Sequence, residues 1–444
     1  MAKPDAWIIG GGLAGCEAAW QLARRGYRVD LAEMRPARMT PAHRTGALAE
    51  LICSNSLKSE SPGSAPFLLK EELRTLGSLV LEVAGQTRVP AGQSLSVDRE
   101  AFSREITARI EAHPRITLRR EEVLSFPDGR PLILATGPLT ADALAAELGR
   151  RLGERYLYFH DAISPIVSAE SIDPGIAFPA SRYDKGGADY LNCPMNRAEY
   201  EEFYQALLAA QIHPPREFEV PQFFEGCLPI EELARRGPDT LRFGPMKPVG
   251  LVNPATGRRP YAAVQLRREN MPGDAYNLVG FQTNLRYGEQ RRVFRLIPGL
   301  ARAEFLRLGQ IHRNTYLNAP AVLHPHLELR EVPGVFVAGQ LCGLEGYVEA
   351  IATGLLAGLQ ACRRLQDRPP VVFPRETALG SLQHWLAVAR PEDYQPVNIT
   401  FALLPEPDAE LRCRFRGKAE RHAAQVERAL ARCREFASGE GLLT

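Results

Sequence analysis

Ala6-Trp7-Ile8-Ile9 runs directly into Gly10-Gly11-Gly12-Leu13-Ala14-Gly15, and the reading of this junction decides the fold. An apolar strand, the G-x-G-x-x-G spacing and an immediate helix form a dinucleotide-binding fingerprint. Gly10 permits the tight turn, Gly12 lets backbone approach a pyrophosphate, and Gly15 allows close helix–strand packing. Gly11, Leu13 and Ala14 complete the loop, whose helix N-terminus offers unpaired N–H groups and a positive dipole end to phosphates. A helical pattern continues to about Arg25 and stops at Gly26. A second strand over 27–32 then ends on Glu33, where a ribose hydroxyl calls for a carboxylate.

The rest of the chain sets limits on what surrounds this unit. Its 444 residues, 45% hydrophobic and 24% charged, are enough for several cores and typical of a globular protein. No apolar run approaches a membrane span, and nothing at the N-terminus resembles a signal peptide. The eight cysteines are scattered without a C-x-x-C pair, which argues against a disulfide scaffold, a zinc ribbon and a dithiol reductase. A cytoplasmic protein with reduced thiols is expected. Net charge is only +2, so any nucleic-acid footprint must be local.

Further along, short strands are expected over 93–98 and 115–118 with a helix over 99–111 between them. Pro131 to Gly137 reads as a buried strand whose Thr136-Gly137 ending turns over a cofactor. From about 180 the texture changes to dense Pro, Gly, Tyr and Arg with weak periodicity. A strand then returns at 335–338, followed by a turn through Gly339, Gln340 and Gly346 and a small-residue helix over 347–360 opened by Tyr347. The fold class expected is α/β, a doubly wound Rossmann-type FAD-binding domain split by an inserted α+β domain. The parts are 1–180, 181–321 with the substrate or RNA side, and 322–444 with a basic helical tail over about 407–435. One fingerprint at the start and a late turn closing on it suit FAD better than NAD. The missing second fingerprint favours transient NADPH or NADH binding and argues against two-dinucleotide reductases.

Several segments then carry a resemblance. Glu33-Met34-Arg35-Pro36, Cys53-Ser54-Asn55-Ser56-Leu57-Lys58-Ser59, Ala135-Thr136-Gly137-Pro138 and Phe224-Glu225-Gly226-Cys227-Leu228-Pro229 occur in that order. His312-Arg313-Asn314-Thr315-Tyr316, Gly339-Gln340-Leu341-Cys342-Gly343 and Gly346-Tyr347-Val348-Glu349 follow. Together they resemble the folate- and FAD-dependent tRNA (uracil-5-)-methyltransferases over nearly the whole chain. The resemblance implies methylation of C5 of the T-loop uridine, position 54, to ribothymidine. The carbon would come from 5,10-methylenetetrahydrofolate, with FAD, reduced by NAD(P)H, as methylene carrier and hydride source. The partner implied is the T-arm of tRNA, with no membrane and no obligate protein partner.

The chemistry assigns needs to residues. Uracil C5 is a poor nucleophile, and a thiolate adding at C6 makes it an enolate carbon. A base must then remove the C5 proton. The motifs offer Cys227 as the C6 nucleophile and Cys53 as acid/base or second thiol, with exchange of the two roles left open. By resemblance, Asn284, Arg286 and His312 hold folate against the flavin, and Arg35 and Tyr347 join the cofactor site. Arg291, Arg292, Arg412, Arg416 and Lys418 are candidate RNA contacts, the first two beside Tyr287 and Phe294 as stacking aromatics. Cys16 reads as core, and His324-Pro325-His326 lacks the companions of a metal site. Two other functions fit the same ends of the chain: a small-molecule flavin oxidoreductase, for which Cys227 is expendable, and a wobble-uridine tRNA-modifying flavoprotein.

Overall fold

The computed structural model describes residues 3–129, 131–152, 156–184, 187–213, 228–406 and 417–443. At its centre lies a five-stranded parallel sheet. From edge to edge its strands are Val335–Val337, Leu132–Leu134, Ala6–Ile9, Val29–Ala32 and Ile116–Arg119. Numbered by sequence, that order is 5-4-1-2-3, so the chain reverses direction across the sheet between Ala6–Ile9 and Leu132–Leu134. A crevice opens at the carboxyl ends of strands flanking such a reversal. Four of the strands are short, largely apolar and almost entirely buried, as parallel strands covered on both faces must be, while the edge strand Ile116–Arg119 buries only Ile116.

Two helices lock the crevice from behind. Leu13–Ala23 starts straight from the glycine turn, and nearly every residue in it is buried. Tyr347–Leu365 lies against it so closely that a Cβ on Gly354 would stand 2.3 Å from the Ala14 carbonyl oxygen. One on Gly358 would stand 3.0 Å from that of Ala18. Small residues thus let two helix backbones touch, and both helix N-termini reach the same end of the sheet. Gly354→Val should force the helices apart and cost about 3 kcal/mol, read as a lower urea midpoint at unchanged m-value. This helix runs past the expected end at 360 because Ala361 and Cys362 remain buried and Arg363 Nη2 donates to the Glu440 carbonyl. Glu440 caps the final helix, Lys418–Gly439. Of the basic tail expected over 407–435, residues 407–416 lie outside those described.

A second core, drawn from Val167 to Ala303, lies beneath a six-stranded antiparallel sheet. Its order is Phe178–Pro179, Tyr190–Met195, Ala262–Arg268, Ala275–Leu278, Ile166–Ser168 and Phe305–Arg307. Two of these strands precede residue 181, where the sequence texture placed the start of the insertion. Asn196 and Glu199 form a reciprocal capping box at the start of the Arg197–Leu208 helix, which covers the sheet. Along Ala262–Arg268 the side chains alternate. Ala262, Val264 and Leu266 enter this core, while Gln265 and Arg267 are buried on the opposite face. A two-stranded ribbon, Tyr156–Ala162 with Ile311–Leu317, and a three-stranded sheet of Ser56–Ser59, Ser94–Val97 and Arg88–Val89 complete the architecture. Among the described residues no helix is long and apolar enough to cross a membrane.

Candidate functional site

A cleft of about 370 Å³ opens at the crevice between the two central strands. Gly10, Gly12, Leu13 and Ala14 wall one side, Thr136 and Gly137 the next, and Gly339, Gln340, Gly346 and Tyr347 the far side. Gly10 takes φ +103°, and a Cβ there would lie 2.4 Å from the Ala135 carbonyl oxygen, so only glycine makes this turn. Gly15 is buried beneath, where a Cβ would collide with the Gly10 carbonyl at 1.8 Å. Gly12 differs: it has an ordinary φ of −76°, and a Cβ would meet nothing within 4 Å. The space in front of it is the cleft. Neither Gly12 nor Gly346, the caps of the two helices, supplies a side-chain hydrogen bond to the helix ends. Two uncapped helix N-termini therefore face one cavity, an arrangement that favours an extended anionic ligand.

Glu33 closes the second strand. Its carboxylate accepts from the Gly11 N–H at 2.8 Å and from Arg35 through the backbone N–H at 3.0 Å and Nε at 2.8 Å. Burial raises its pKa, but the Arg35 hydrogen bond and charge outweigh this and hold it below the ordinary carboxylate range. Arg35 is itself buried and also bonds Glu50 at 3.1 Å. Beside this pair His43 lines the cleft, with Nδ1 2.6 Å from Thr40 Oγ1. Burial, then the Arg35 guanidinium, pushes the imidazole down to about 4. Between pH 6.5 and 4 the unfolded chain binds this proton more readily than the fold does. Stability therefore falls as pH drops through that window, by about 3 kcal/mol in all. His43→Asn should flatten this slope in denaturant titrations stepped from pH 7 to 4.

Cys53 lines the same cleft, half-buried. Its backbone N–H donates to Tyr347 Oη at 2.8 Å, as does that of Ser54 at 3.2 Å. The late helix is thereby tied to the thiol-bearing loop, and burial pushes the Tyr347 hydroxyl pKa up. Arg99 Nη1 donates to the Leu51 carbonyl at 2.8 Å while its Nε pairs with Glu269 at 2.5 Å. Arg267 Nη2 donates to Ser54 Oγ at 2.7 Å. Asn55 Nδ2 bonds the carbonyls of Val97 and Arg268, joining the loop to both neighbouring sheets. On the far wall Lys58 Nζ meets Glu349 Oε1 at 2.7 Å. Glu349 is fully buried, and its Oε2 has no partner among the described residues.

The other residues singled out from sequence fall in several places. Cys227, Arg412 and Arg416 lie outside the described residues, as does the side chain of His312, whose backbone pairs with Asp161. Asn284 is buried near Gln282, which lines the cleft; its N–H donates to Glu231 at 2.7 Å and its Oδ1 is unpartnered. Arg286 is exposed and bonds Gln211 at 3.0 Å. Arg291 and Arg292 lie exposed on Tyr287–Phe294, with Arg292 Nη2 2.5 Å from Glu289. Phe294 is a correction: it is fully buried against Phe281 and Phe305, because it occupies the apolar stripe of that helix, and it has no face for a base. Tyr287 is exposed. Lys418 opens the last helix, on the surface. Cys16 and Cys342 are buried, with Cys342 Sγ donating to the Gly339 carbonyl at 2.9 Å. His324 and His326 stack at 5.0 Å, and His326 pairs with Glu328 at 3.0 Å.

Sequence reading passed over His43 and Asn398, which line the cleft, and the buried or half-buried Arg99, Arg267 and Arg307, the last closing the strand Phe305–Arg307. The alternation of Ala262–Arg268 was the available signal for Arg267; Arg307 has none nearby.

A family model described as glucose inhibited division protein A matches residues 5–369. A Koribacter versatilis protein described as methylenetetrahydrofolate--tRNA-(uracil-5-)-methyltransferase TrmFO is 58% identical, covering 95% of this chain and 96% of its own length. One of the same description from Heliobacterium modesticaldum is 56% identical, covering 97% of each. Aquifex aeolicus GidA, in its form I crystal, superposes with a TM-score of 0.72 at 17% identity, covering all of this chain and 77% of that one. That last likeness is one of fold.

Proposed function

The chain belongs to the TrmFO family of methylenetetrahydrofolate-dependent tRNA (uracil-5-)-methyltransferases, relatives of GidA, and from this premise we propose how its residues do the work. It methylates C5 of a uracil in tRNA with methylenetetrahydrofolate as carbon donor. We infer that the target is the T-loop uridine, position 54, approached through the T-arm in the cytoplasm. FAD is the resident cofactor, reduced by NADPH or NADH.

The cleft fits FAD on its own geometry. The void before Gly12, two uncapped helix N-termini, the Glu33 carboxylate and the unpartnered Asn398 Oδ1 form a long cradle with one acidic end. Gly10 to Gly15 and the N-terminus of the Tyr347 helix would hold its phosphates, Glu33 with Arg35 would take a ribose, and Thr136, Gly137, Gly339, Gln340 and Gly346 would line its length. When bound, FAD supplies the reducing equivalents that turn a methylene into a methyl group.

The chain's own part is thiol and proton chemistry. Cys227 adds to uracil C6, which makes C5 nucleophilic, and Cys53 removes the C5 proton before the C6–S bond breaks. Asn284, Arg286 and His312 orient the folate. Arg291, Arg292, Arg412, Arg416 and Lys418 bind RNA phosphates, with the domain built on the antiparallel sheet, from Ile166 to Arg307, forming the RNA side. The observation that carries this reading is the half-buried Cys53 in the wall of the cradle, held by the hydroxyl of Tyr347.

The test uses purified protein, NADPH and isotopically labelled methylenetetrahydrofolate with an unmodified tRNA transcript, beside a transcript lacking the T-loop uridine. Label should enter only the first. Cofactor reduction without label in either RNA would move the assignment to a small-molecule oxidoreductase, and label in both would move it to another uridine.

A further inference from the structure

Behind the Cys53 loop the charge does not balance. Three guanidinium groups gather there: Arg99 from the helix Arg99–Ala112, and Arg267 and Arg307 from two strands of the antiparallel sheet. All three are largely buried and act electrostatically on Cys53. Arg44 adds a fourth positive charge from the exposed side of Arg307. Against them stands the carboxylate of Glu269, bonded to Arg99 at 2.5 Å. Among the described residues neither Arg267 nor Arg307 has a carboxylate within ion-pair distance. Arg267 bonds Ser54 Oγ at 2.7 Å, and Arg307 reaches only the Ala42 carbonyl at 3.4 Å. The Nε of each is buried and unpartnered.

Uncompensated buried cations are costly, and a fold that retains them needs negative charge beside them. The remaining titratable neighbours are four. Tyr347 and Tyr190 are pushed upward by burial and His43 downward by burial, so none of these three carries negative charge near pH 7. The fourth is the Cys53 sulfur.

We propose that Arg267 and Arg307 are positioning residues that keep the Cys53 sulfur as a thiolate at neutral pH. Resting thiolate at Cys53 makes it a proton acceptor without a separate base. Arg307 does this purely as a charge, since its one long bond to a carbonyl fixes nothing else. Arg267 does it while holding Ser54 and thereby the loop. The inference rests on Cys53 belonging to the reacting centre, but it can be read without turnover.

Iodoacetamide labelling of Cys53 in the reduced holoprotein, quantified from the mass of its peptide across pH 5 to 10, gives the pH of half-maximal reactivity. Arg307→Met should raise that midpoint by about one pH unit, a tenfold loss of thiolate on the steep part of the curve. Arg307→Lys should restore it. Arg307→Gln, which keeps a donor for the Ala42 carbonyl, serves if the methionine variant fails to fold, and Arg267→Gln should move the midpoint the same way. An unchanged midpoint in folded, cofactor-loaded Arg307 and Arg267 variants overturns the proposal. Full methylation by a Cys53→Ala enzyme would instead remove Cys53 from the reaction and leave the labelling result standing.

Discussion

Replacing Cys53 by alanine should abolish methyl transfer to tRNA while the protein stays folded and keeps its cofactor. The side chain is half-buried and lines open space, so its removal leaves no closed cavity. The loop is held through backbone groups, by Tyr347 Oη and by Arg99 on the Leu51 carbonyl, none of which needs the sulfur. Loss of the sulfur's charge beside Arg267 and Arg307 should still cost about 1 to 3 kcal/mol, which leaves the protein folded. Loss of a proton-transfer group slows a step about 10² to 10⁴-fold. Single-turnover labelling of tRNA should show at least the lower figure, while NADPH-driven bleaching of the bound chromophore proceeds at the parent rate. Methylation within tenfold of the parent would exclude Cys53 as the acid/base. Equal loss of both activities would point to a broken cleft instead. Cys227→Ala, measured the same way, separates nucleophile from base, because only the nucleophile forms a covalent adduct with a 5-fluorouridine-containing transcript.

Gly12→Val should yield a folded protein without cofactor. The three fingerprint glycines do different work, and their surroundings separate them. Gly10 and Gly15 are excluded from substitution by backbone collisions, so changing either breaks the strand–helix joint itself. At Gly12 the backbone is ordinary and the added side chain meets no protein atom, so it projects into the space the dinucleotide needs. Displacing a phosphate from an uncapped helix end should cost at least about 3 kcal/mol, or a hundredfold in affinity. Purified Gly12→Val should be colourless and should melt where the apo parent melts. Gly15→Val should melt well below the apo parent. If both variants melt low, the cleft wall at Gly12 is part of the core and the assignment of its open face is wrong.

The two ends of the cofactor cradle were legible in the sequence for a local reason. Strand, glycine turn, helix and Glu33 lie within one continuous stretch, and each constrains its neighbour through backbone sterics. Leu132–Leu134 and Val335–Val337 were legible because a buried parallel strand is a short apolar run followed by a turn. The polar wall was not. Arg307 follows an irregular register on an edge strand, and its approach to the Cys53 loop is made by tertiary packing across more than two hundred residues of sequence. Phe294 was misjudged because a short helix rich in arginine hides its apolar stripe: Gln290, Val293 and Phe294 turn inward while Arg291 and Arg292 turn out. The break at 181 was set by composition, whereas Phe178–Pro179 belongs to the second sheet through its neighbours Leu191 and Asn192, and Ile166–Ser168 through Ala275–Asn277 far downstream.

The contact of Gly354 with Ala14 has a consequence for how the molecule is made. On the ribosome the first 120 residues emerge with strand, turn and helix in hand, yet the wall that completes the cleft is encoded beyond residue 335. Until then the face of the first helix at Ala14 and Ala18 has nothing to cover it, while its Glu17 already accepts from Ser78 and Val80 of a neighbouring helix. Native pairing between such distant segments is slow, and the waiting surface is the kind that chaperones recognise and that aggregates when they are scarce. Chromophore loading is accordingly a post-translational event, and ribosome-bound chains stalled before residue 335 should take up no flavin at all.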